Sequence, residues 1–573
     1  MADYRAPITE QLFVLDAVAD LPGLSGLPGF EAASLDTAEA ILSESARLAE
    51  AVFAPLNRSG DREGARWQDG TVTLPKGFRE AYRDYAASGW LGLSADPDHG
   101  GQGLPFVLCA AVQEQLTAAN MALSLNPMLT LGAIEALQIH GTAEQQALYL
   151  SRIVSGEWTA TMNLTEPQAG SDLGALRTTA VPAGDGSYRI TGQKIFITWG
   201  EHDVADNIVH LVLARLPDAP AGPKGISLFL VPKVLLDENG QPGTRNDVQC
   251  VSMEHKLGIH ASPTCTMQYG EKGACIGWLV GAEHGGLAAM FTMMNHARIN
   301  VGLQGVAIAE RARQDAYAYA AERIQFGPII EHPDVRRMLM TMTAETQAAR
   351  AIVYVNAAAV DHAHAEPDAG VRARWKRRAD LLTPISKAYG TDIGVLVTSL
   401  AIQVHGGMGY IEETGVAQHY RDARIAPIYE GTNGIQAMDL AGRKLRGDDG
   451  VAMAELQADI AKEIIQWRSE TRRAAMEQAL SALAEAASHM RANDQAGAGA
   501  AAYPFLNLCA GVVWGWLLGR QAERAEEMKA SGEGDPAALA AKSSVADFFL
   551  SQRLPLALAN VAAIRCPADM LAV

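Results

Sequence analysis

The sequence predicts a mainly α protein with a β insert, and three observations carry that prediction. Apolar residues recur at helical spacing up to about residue 160, and again from about 284 to 445. Between these stretches lie short runs rich in β-branched residues, bounded by Gly, Pro or Asp, with no helical pattern separating them. Beyond Gly447-Asp-Asp-Gly450, an Ala-, Glu-, Leu- and Arg-rich segment reads helical to the end. The expected order is a helical domain, a β-barrel-like domain, a helical bundle and a C-terminal helical domain.

The elements follow in order. Asp36-Thr-Ala-Glu39 reads as a capping box opening a helix, and Ile41, Leu42, Leu48, Val52 and Phe53 continue its apolar stripe. Thr142 and Gln145 form a second such box, and helical patterns between the two break at Asp96-Pro97 and Gly100 to Gly103. Tyr188 to Thr198, Asn207 to Arg215 and Ile226 to Val231 read as strands of an antiparallel sheet or small barrel. Turns are expected at Gly327-Pro328 and Gly406-Gly407. The last segment is expected to break near Ala496 to Pro504 and at Ser531 to Pro536. The divisions are an N-terminal arm 1–35, a helical domain 36–160, a β domain 161–280, a helical bundle 281–448 and a C-terminal helical domain 449–573. A chain of 573 residues suits about three to five such domains.

Composition excludes several classes. Charged residues make up 20% and hydrophobic residues 48%, which is ordinary globular usage and rules out wholesale disorder. The 47 basic and 65 acidic residues leave a net charge of −18, against a nucleic-acid partner. Six scattered cysteines without a Cys-x-x-Cys pair read as buried reduced thiols. The opening residues carry no signal- or transit-peptide pattern, and the apolar run Leu506 to Leu518 is shorter than the ~20 residues of a membrane span. A soluble cytoplasmic protein is expected, with no transmembrane segment.

No Gly-x-Gly-x-x-Gly follows a strand, and Walker-type and Gly-x-Ser-x-Gly motifs are missing. No metal site is expected, since His362 and His364 are two apart and point to different sides of a helix. Three stretches remain, each dense in glycine and polar groups. In Met162 to Asp172, Thr165, Gly170 and Ser171 offer hydroxyls and unhindered N–H groups suited to an anion such as pyrophosphate, or form an ordinary helix-to-strand loop. Gln403-Val-His-Gly-Gly-Met-Gly-Tyr410 permits close backbone approach to a ligand, or is a helix C-cap and turn. In Ile428 to Gln436, Glu430 is the only acid among apolar residues and glycines. Desolvation there raises a carboxylate's pKa as a general base requires; a first-turn helix acid is the alternative.

Five motifs occur in order: Leu-Thr-Glu-Pro-Gln-Ala-Gly-Ser-Asp, Gly-Gln-Lys-Ile-Phe-Ile-Thr, Arg-Ile-Gln-Phe-Gly, Gln-x-x-Gly-Gly and Tyr-Glu-Gly-Thr. With them the chain resembles the acyl-CoA dehydrogenase family over about residues 36 to 445. The arm, the C-terminal segment and Met294 to Gln304 resemble its long bacterial branch, which includes methylthiopropanoyl-CoA dehydrogenases. The resemblance implies FAD as cofactor, lined by Met162, Leu164, Thr165, Gly170 and Ser171, with Ser171 near the pyrophosphate or the CoA chain. It implies Phe196 against the flavin ring and Thr198 near flavin N5. Arg323 and Phe326 would reach FAD across a subunit boundary, Gln403, Gly406 and Gly407 would hold its adenosine end, and Thr432 and Gly434 would flank it. Glu430 would be the catalytic base, with Asn295, Arg298 and Gly431 on the substrate side.

The implied reaction is α,β-dehydrogenation of an acyl-CoA to a trans-2-enoyl-CoA, with electrons passing to electron-transferring flavoprotein. The resemblance also implies a homodimer, the C-terminal domain occupying the place of a second dimer in four-subunit members. Departures from the family's pattern fall at Phe196, Trp199, His260 and Gly434. The competing readings are an acyl-CoA oxidase using oxygen and a non-catalytic flavoprotein that binds nucleic acid. Glu310 and Glu412 are the alternative carboxylates for the base.

Overall fold

The computed structural model describes residues 3–571, the Asn295 side chain excepted. It divides into two compact units. One contains Arg47–Leu104 and Ala119–Ala297, and the other contains Met1–Ala46, Pro105–Ala118 and Arg298–Val573.

The first unit holds the strands. An early hairpin pairs β1 (Arg66–Gln68) with β2 (Thr71–Thr73) around Asp69-Gly70, both at positive φ. This is the Asp-Gly two-residue turn that matches strand twist, and it interrupts a region expected to be mostly helical. The main sheet uses β3 (Trp158–Asn163), β4 (Thr179–Pro182), β5 (Tyr188–Thr198), β6 (Asn207–Arg215), β7 (Ile226–Pro232), β10 (Val248–Met253), β11 (Thr264–Tyr269) and β12 (Ile276–Val280). A side hairpin pairs β8 (Val234–Leu236) with β9 (Pro242–Arg245). The sheet order is β10-β11-β5-β12-β7-β6-β3, and β4 pairs with both β5 and β6, which folds the sheet back on itself. β6 and β7 are near-continuous apolar runs and are buried almost throughout, as strands covered on both faces are.

The sheet is mixed rather than antiparallel. β3 and β4 both run parallel to β6. A parallel neighbour needs a long crossover. The stretch from 164 to 206, which carries β4 and β5, supplies it for β3 and β6.

The second unit is helical. Its long helices are Pro333–Ala365, Ala369–His405 and Gln495–Ser531, together with Gly286–Glu322 from Arg298 onward. Gly302 and Gly305 let the last of these approach Ala369–His405 closely. A Cβ on Gly305 would lie 2.1 Å from the Gly390 carbonyl oxygen, and one on Gly302 would lie 2.5 Å from that of Ser386. Arg298 and Lys387 belong to these two facing helices.

A buried polar cluster ties the N-terminal arm to the bundle. Fully buried Arg350 donates to Glu114 at 2.7 Å and to Glu310 at 2.9 Å, and the Tyr354 hydroxyl donates to Glu114 at 2.7 Å. Gln11, from the arm helix Ile8–Ala17, donates to Tyr354 at 2.9 Å. Glu310 is therefore a structural carboxylate. Glu412 is exposed and pairs with Arg421, so neither is placed as an alternative base.

Local details correct three expectations. The helix expected to open at Asp36 spans Leu35–Leu48, and Ser34 caps it by accepting from the Thr37 N–H at 3.1 Å. The anticipated break near Ala496 to Pro504 is absent: Gln495–Ser531 is one helix through Pro504, with Asp494 capping the Gly497 N–H. All six cysteines are free thiols, but Cys566 is exposed while the other five are buried. The Thr142–Gln145 capping box forms as expected. The Leu506 to Leu518 run, expected to be too short to span a bilayer, lies inside Gln495–Ser531. That helix and Ala369–Tyr410 are long and apolar enough to cross one by length and composition alone. In Gln495–Ser531, 83% of the apolar window is buried within the protein, as in a core helix.

Candidate active site

In the β-rich unit, the candidate cofactor segment follows β3. Met162 is buried at the end of that strand, Leu164 and Thr165 are half-buried, and Gly170 and Ser171 are exposed. Glu166 and Ala169 exchange backbone hydrogen bonds around Pro167-Gln168, which turns the chain outward. The segment is fixed by a pair the sequence reading passed over. Lys194, wholly buried on β5, donates to Glu166 Oε1 at 2.8 Å and to the Leu164 carbonyl at 3.0 Å. Glu166 also accepts from the Arg177 N–H at 2.7 Å, and from the Thr178 N–H at 3.0 Å and hydroxyl at 2.6 Å. Burial opposes ionisation of Glu166, but Lys194 and these donors hold its carboxyl at about 2; burial in turn pulls Lys194 down to about 8.

β5 carries a bulge beside this segment. Ile197 pairs with Cys265 and Lys194 with Met267, so Ile195 and Phe196 together face Thr266. The Ile195 N–H turns to the Thr165 carbonyl at 2.9 Å, and Phe196 swings out, 58% exposed, at φ +59°. An aromatic residue in the left-handed region is strained, and such strain gathers at functional sites. The bulge thus ties the Thr165 backbone to the strand that carries Phe196 and Thr198.

In the helical unit, Glu430 sits on a tight loop. The Asn433 N–H bonds back to the Pro427 carbonyl at 3.0 Å, so residues 428–432 are thrown outward ahead of the helix Asn433–Asp439. Thr432 caps that helix, accepting from the Ile435 N–H at 3.2 Å, so Glu430 is not its cap. Glu430 has φ +56° and Gly431 φ +83°, two successive residues in the left-handed region. A Cβ on Gly431 would lie 2.8 Å from Gln436 Nε2, which donates to the Glu430 and Gly431 carbonyls. This backbone turns the Glu430 N–H away from its neighbours; it has no hydrogen-bond acceptor among the described residues.

Glu430 is half-buried as a residue, and burial of its carboxyl raises its pKa, with the nearby charges of Arg298 and Lys387 opposing. Arg298 is buried on its helix, while the side chain of Asn295 lies outside the described residues. Thr432 and Gly434 are exposed beside the loop. The Arg323–Phe326 turn is fully open, with Phe326 completely exposed at φ +57°. Tyr319 stacks on His405 at 4.2 Å, which brings that turn near the end of Ala369–His405, where Gln403, Gly406 and Gly407 are exposed.

These residues fit a dinucleotide flavin. Hydroxyls, an outward aromatic ring and open backbone are what its phosphates and ring system need. A Cβ at Gly170, Gly406 or Gly407 would enter empty space, leaving that backbone approachable. Among the described residues no group of His, Cys, Asp and Glu is arranged to hold a metal ion.

Family models for the N-terminal, middle and C-terminal domains of acyl-CoA dehydrogenase match residues 36–157, 161–271 and 284–445, and an acetyl-CoA dehydrogenase C-terminal-like model matches 452–572. The chain belongs to the acyl-CoA dehydrogenase family, an enzyme family that uses FAD. It is 47% identical to a 3-methylmercaptopropionyl-CoA dehydrogenase of Ruegeria pomeroyi over 96% of each chain. It is 35% identical to a broad-specificity linear acyl-CoA dehydrogenase of Mycobacterium tuberculosis, over 97% of this chain and 96% of that protein. The fold is shared with an acyl-CoA dehydrogenase from Bacillus anthracis solved with FAD, at a TM-score of 0.76 and 21% identity, covering 93% of this chain and 88% of that one.

Proposed function

We propose that this enzyme removes an α-proton and a β-hydride from an acyl-CoA thioester to give a trans-2-enoyl-CoA, with Glu430 as the base. The observation that carries this reading is the Glu430 loop: a carboxyl of raised pKa on a residue whose own N–H is free to bind an oxygen. The α-proton of a thioester is weakly acidic. Its transfer to a positioned carboxylate is favoured when the enolate oxygen meets a preorganised donor, here the Glu430 N–H. When bound, FAD supplies the acceptor for the hydride that leaves the β-carbon. Phe196 and Thr198 receive the flavin ring, and Thr165, Gly170 and Ser171 its phosphates. Arg298 and Gly431, beside Glu430, would face the substrate.

The exposed Arg323–Phe326 turn supports a homodimer in which this turn meets the cofactor of a second copy; light scattering should give two copies, not four. Electron-transferring flavoprotein is the proposed acceptor, and the cytosol the proposed location. The similarity to the Ruegeria protein favours a short acyl chain, with 3-methylmercaptopropionyl-CoA and butyryl-CoA the first to test. Anaerobic mixing of the yellow protein with an acyl-CoA panel should bleach the flavin with the short members. No bleaching by any member, with FAD bound, would contradict the proposed reaction.

A further inference from the structure

The base loop is anchored by a side-chain network that reaches the C-terminal helical segment. Asn433, the first residue of the helix after Glu430, is buried and spends its whole amide on Ala369–His405. Its Oδ1 accepts from Lys387 Nζ at 2.9 Å. Its Nδ2 donates to the Ala388 carbonyl at 2.9 Å, Thr391 Oγ1 at 3.0 Å and Asp392 Oδ1 at 2.8 Å. The other oxygen of Asp392 accepts from the hydroxyl of Tyr503, on Gln495–Ser531. Lys387 is wholly buried and makes no ion pair within 4 Å among the described residues. An unneutralised ammonium placed this way is costly unless nearby carboxylates compensate it.

We infer that Lys387 is a positioning residue for Glu430: Asn433 holds it beside the base loop, and Asp392 and Tyr503 hold Asn433, so that its charge sets the protonation of the base. This rests on Glu430 being the base. Three features support it. The donor set leaves Asn433 no freedom, so the loop and the lysine move together. Burial pulls Lys387 down to about 7, with Glu430 and Asp392 opposing and Arg298 reinforcing. Burial raises Asp392, with Tyr503, Asn433, Lys387 and Arg424 opposing. The charged groups facing Glu430 are thus Arg298 from one helix and Lys387 from another. Asp439 and Arg443 act on Arg298, and Tyr429 is the neighbouring titratable side chain.

The sign follows. Removing the ammonium withdraws support for ionised Glu430, so its carboxyl titrates higher. Removing the Tyr503 hydroxyl lets Asp392 protonate more readily, which weakens support for protonated Lys387 and shifts Glu430 the same way by less. The test is an infrared pH titration of the protonated carboxyl band of Glu430 in the holoenzyme, identified by its loss in Glu430→Gln. Alongside it runs the pH profile of anaerobic flavin reduction by butyryl-CoA.

Lys387→Met should move both the band and the acid limb up by about half a pH unit or more, Lys387→Arg should restore them, and Tyr503→Phe should shift them less. A Lys387→Met protein that titrates like wild type overturns the proposal. If that variant does not fold, Tyr503→Phe decides: an upward shift supports the network and an unchanged titration refutes it. Substantial flavin reduction by Glu430→Gln would instead refute the base assignment, while the infrared band would still report on Lys387.

Discussion

Glu430→Gln should retain FAD and the native fold yet slow anaerobic flavin reduction by about 1000-fold, the middle of the range a positioned general base contributes. The amide occupies the same space and preserves the loop at φ +56°, but it cannot accept a proton. Stability should not fall. Burial raises the Glu430 carboxyl above its ordinary value of 4.5, so ionising it opposes folding. The stability a raised carboxyl contributes is complete below the unfolded value and is lost as pH rises through the folded one, so a neutral amide should match or exceed wild type at pH 7. In the wild type, flavin reduction should decline as pH falls through that raised value. Reduction by Glu430→Gln at a rate near that of wild type would assign the proton to another group.

Lys194→Met should lower unfolding stability by about 3–5 kcal/mol and deplete bound FAD. The substitution leaves the buried carboxylate of Glu166 with no cation, facing only the Thr178 hydroxyl, the Gln168 amide and two backbone N–H groups, and removes the donor that holds the Leu164 carbonyl. Both losses fall on the segment that leads to Thr165, Gly170 and Ser171. Chemical denaturation and flavin absorbance read the two effects. The pH dependence has a definite sign. Glu166 stands at about 2 against an ordinary 4.5, so its contribution is complete above 4.5 and is lost as the pH falls toward 2. The stability gap between wild type and variant should narrow over that window. A loss below about 1 kcal/mol, the range of exposed pairs, would show the pair to be unimportant.

Much of this was legible because the chemistry is local. Glu430 stands out as a lone acid among glycines and apolar residues, and β5, β6 and β7 follow their β-branched runs almost to the residue. The candidate cofactor stretches are marked by glycine and hydroxyl density. What escaped depends on partners distant in the chain. The parallel pairing of β3 with β6 is decided by a crossover, and no local pattern encodes it. Ser34 rather than Asp36 caps its helix because the chain enters two residues earlier, and Pro504 is carried inside a helix by the packing around it.

The residues that hold the site were missed for the same reason. Glu166 meets Lys194 28 positions on, and Asn433 lies 46 positions from Lys387. A faint signal existed in both cases. Lys194 occupies an inward position of an alternating strand with Ile190, and Lys387 is the one charge in Leu381-Leu-Thr-Pro-Ile-Ser-Lys-Ala388. A lysine in such a place must be paid for by a buried acceptor. The outward turn of Phe196 had no such signal, since a bulge is set by the register of the partner strand.

Proton removal from the α-carbon by Glu430 is the step on which the proposed reaction turns. Its most direct measurement is single-turnover flavin reduction with a short acyl-CoA deuterated at the α-carbon, beside the unlabelled thioester. The wild type should be reduced more slowly by the deuterated substrate, and Glu430→Gln should wash no α-deuterium into water. Equal rates with both substrates, together with α-deuterium exchange in Glu430→Gln as fast as in wild type, would contradict it.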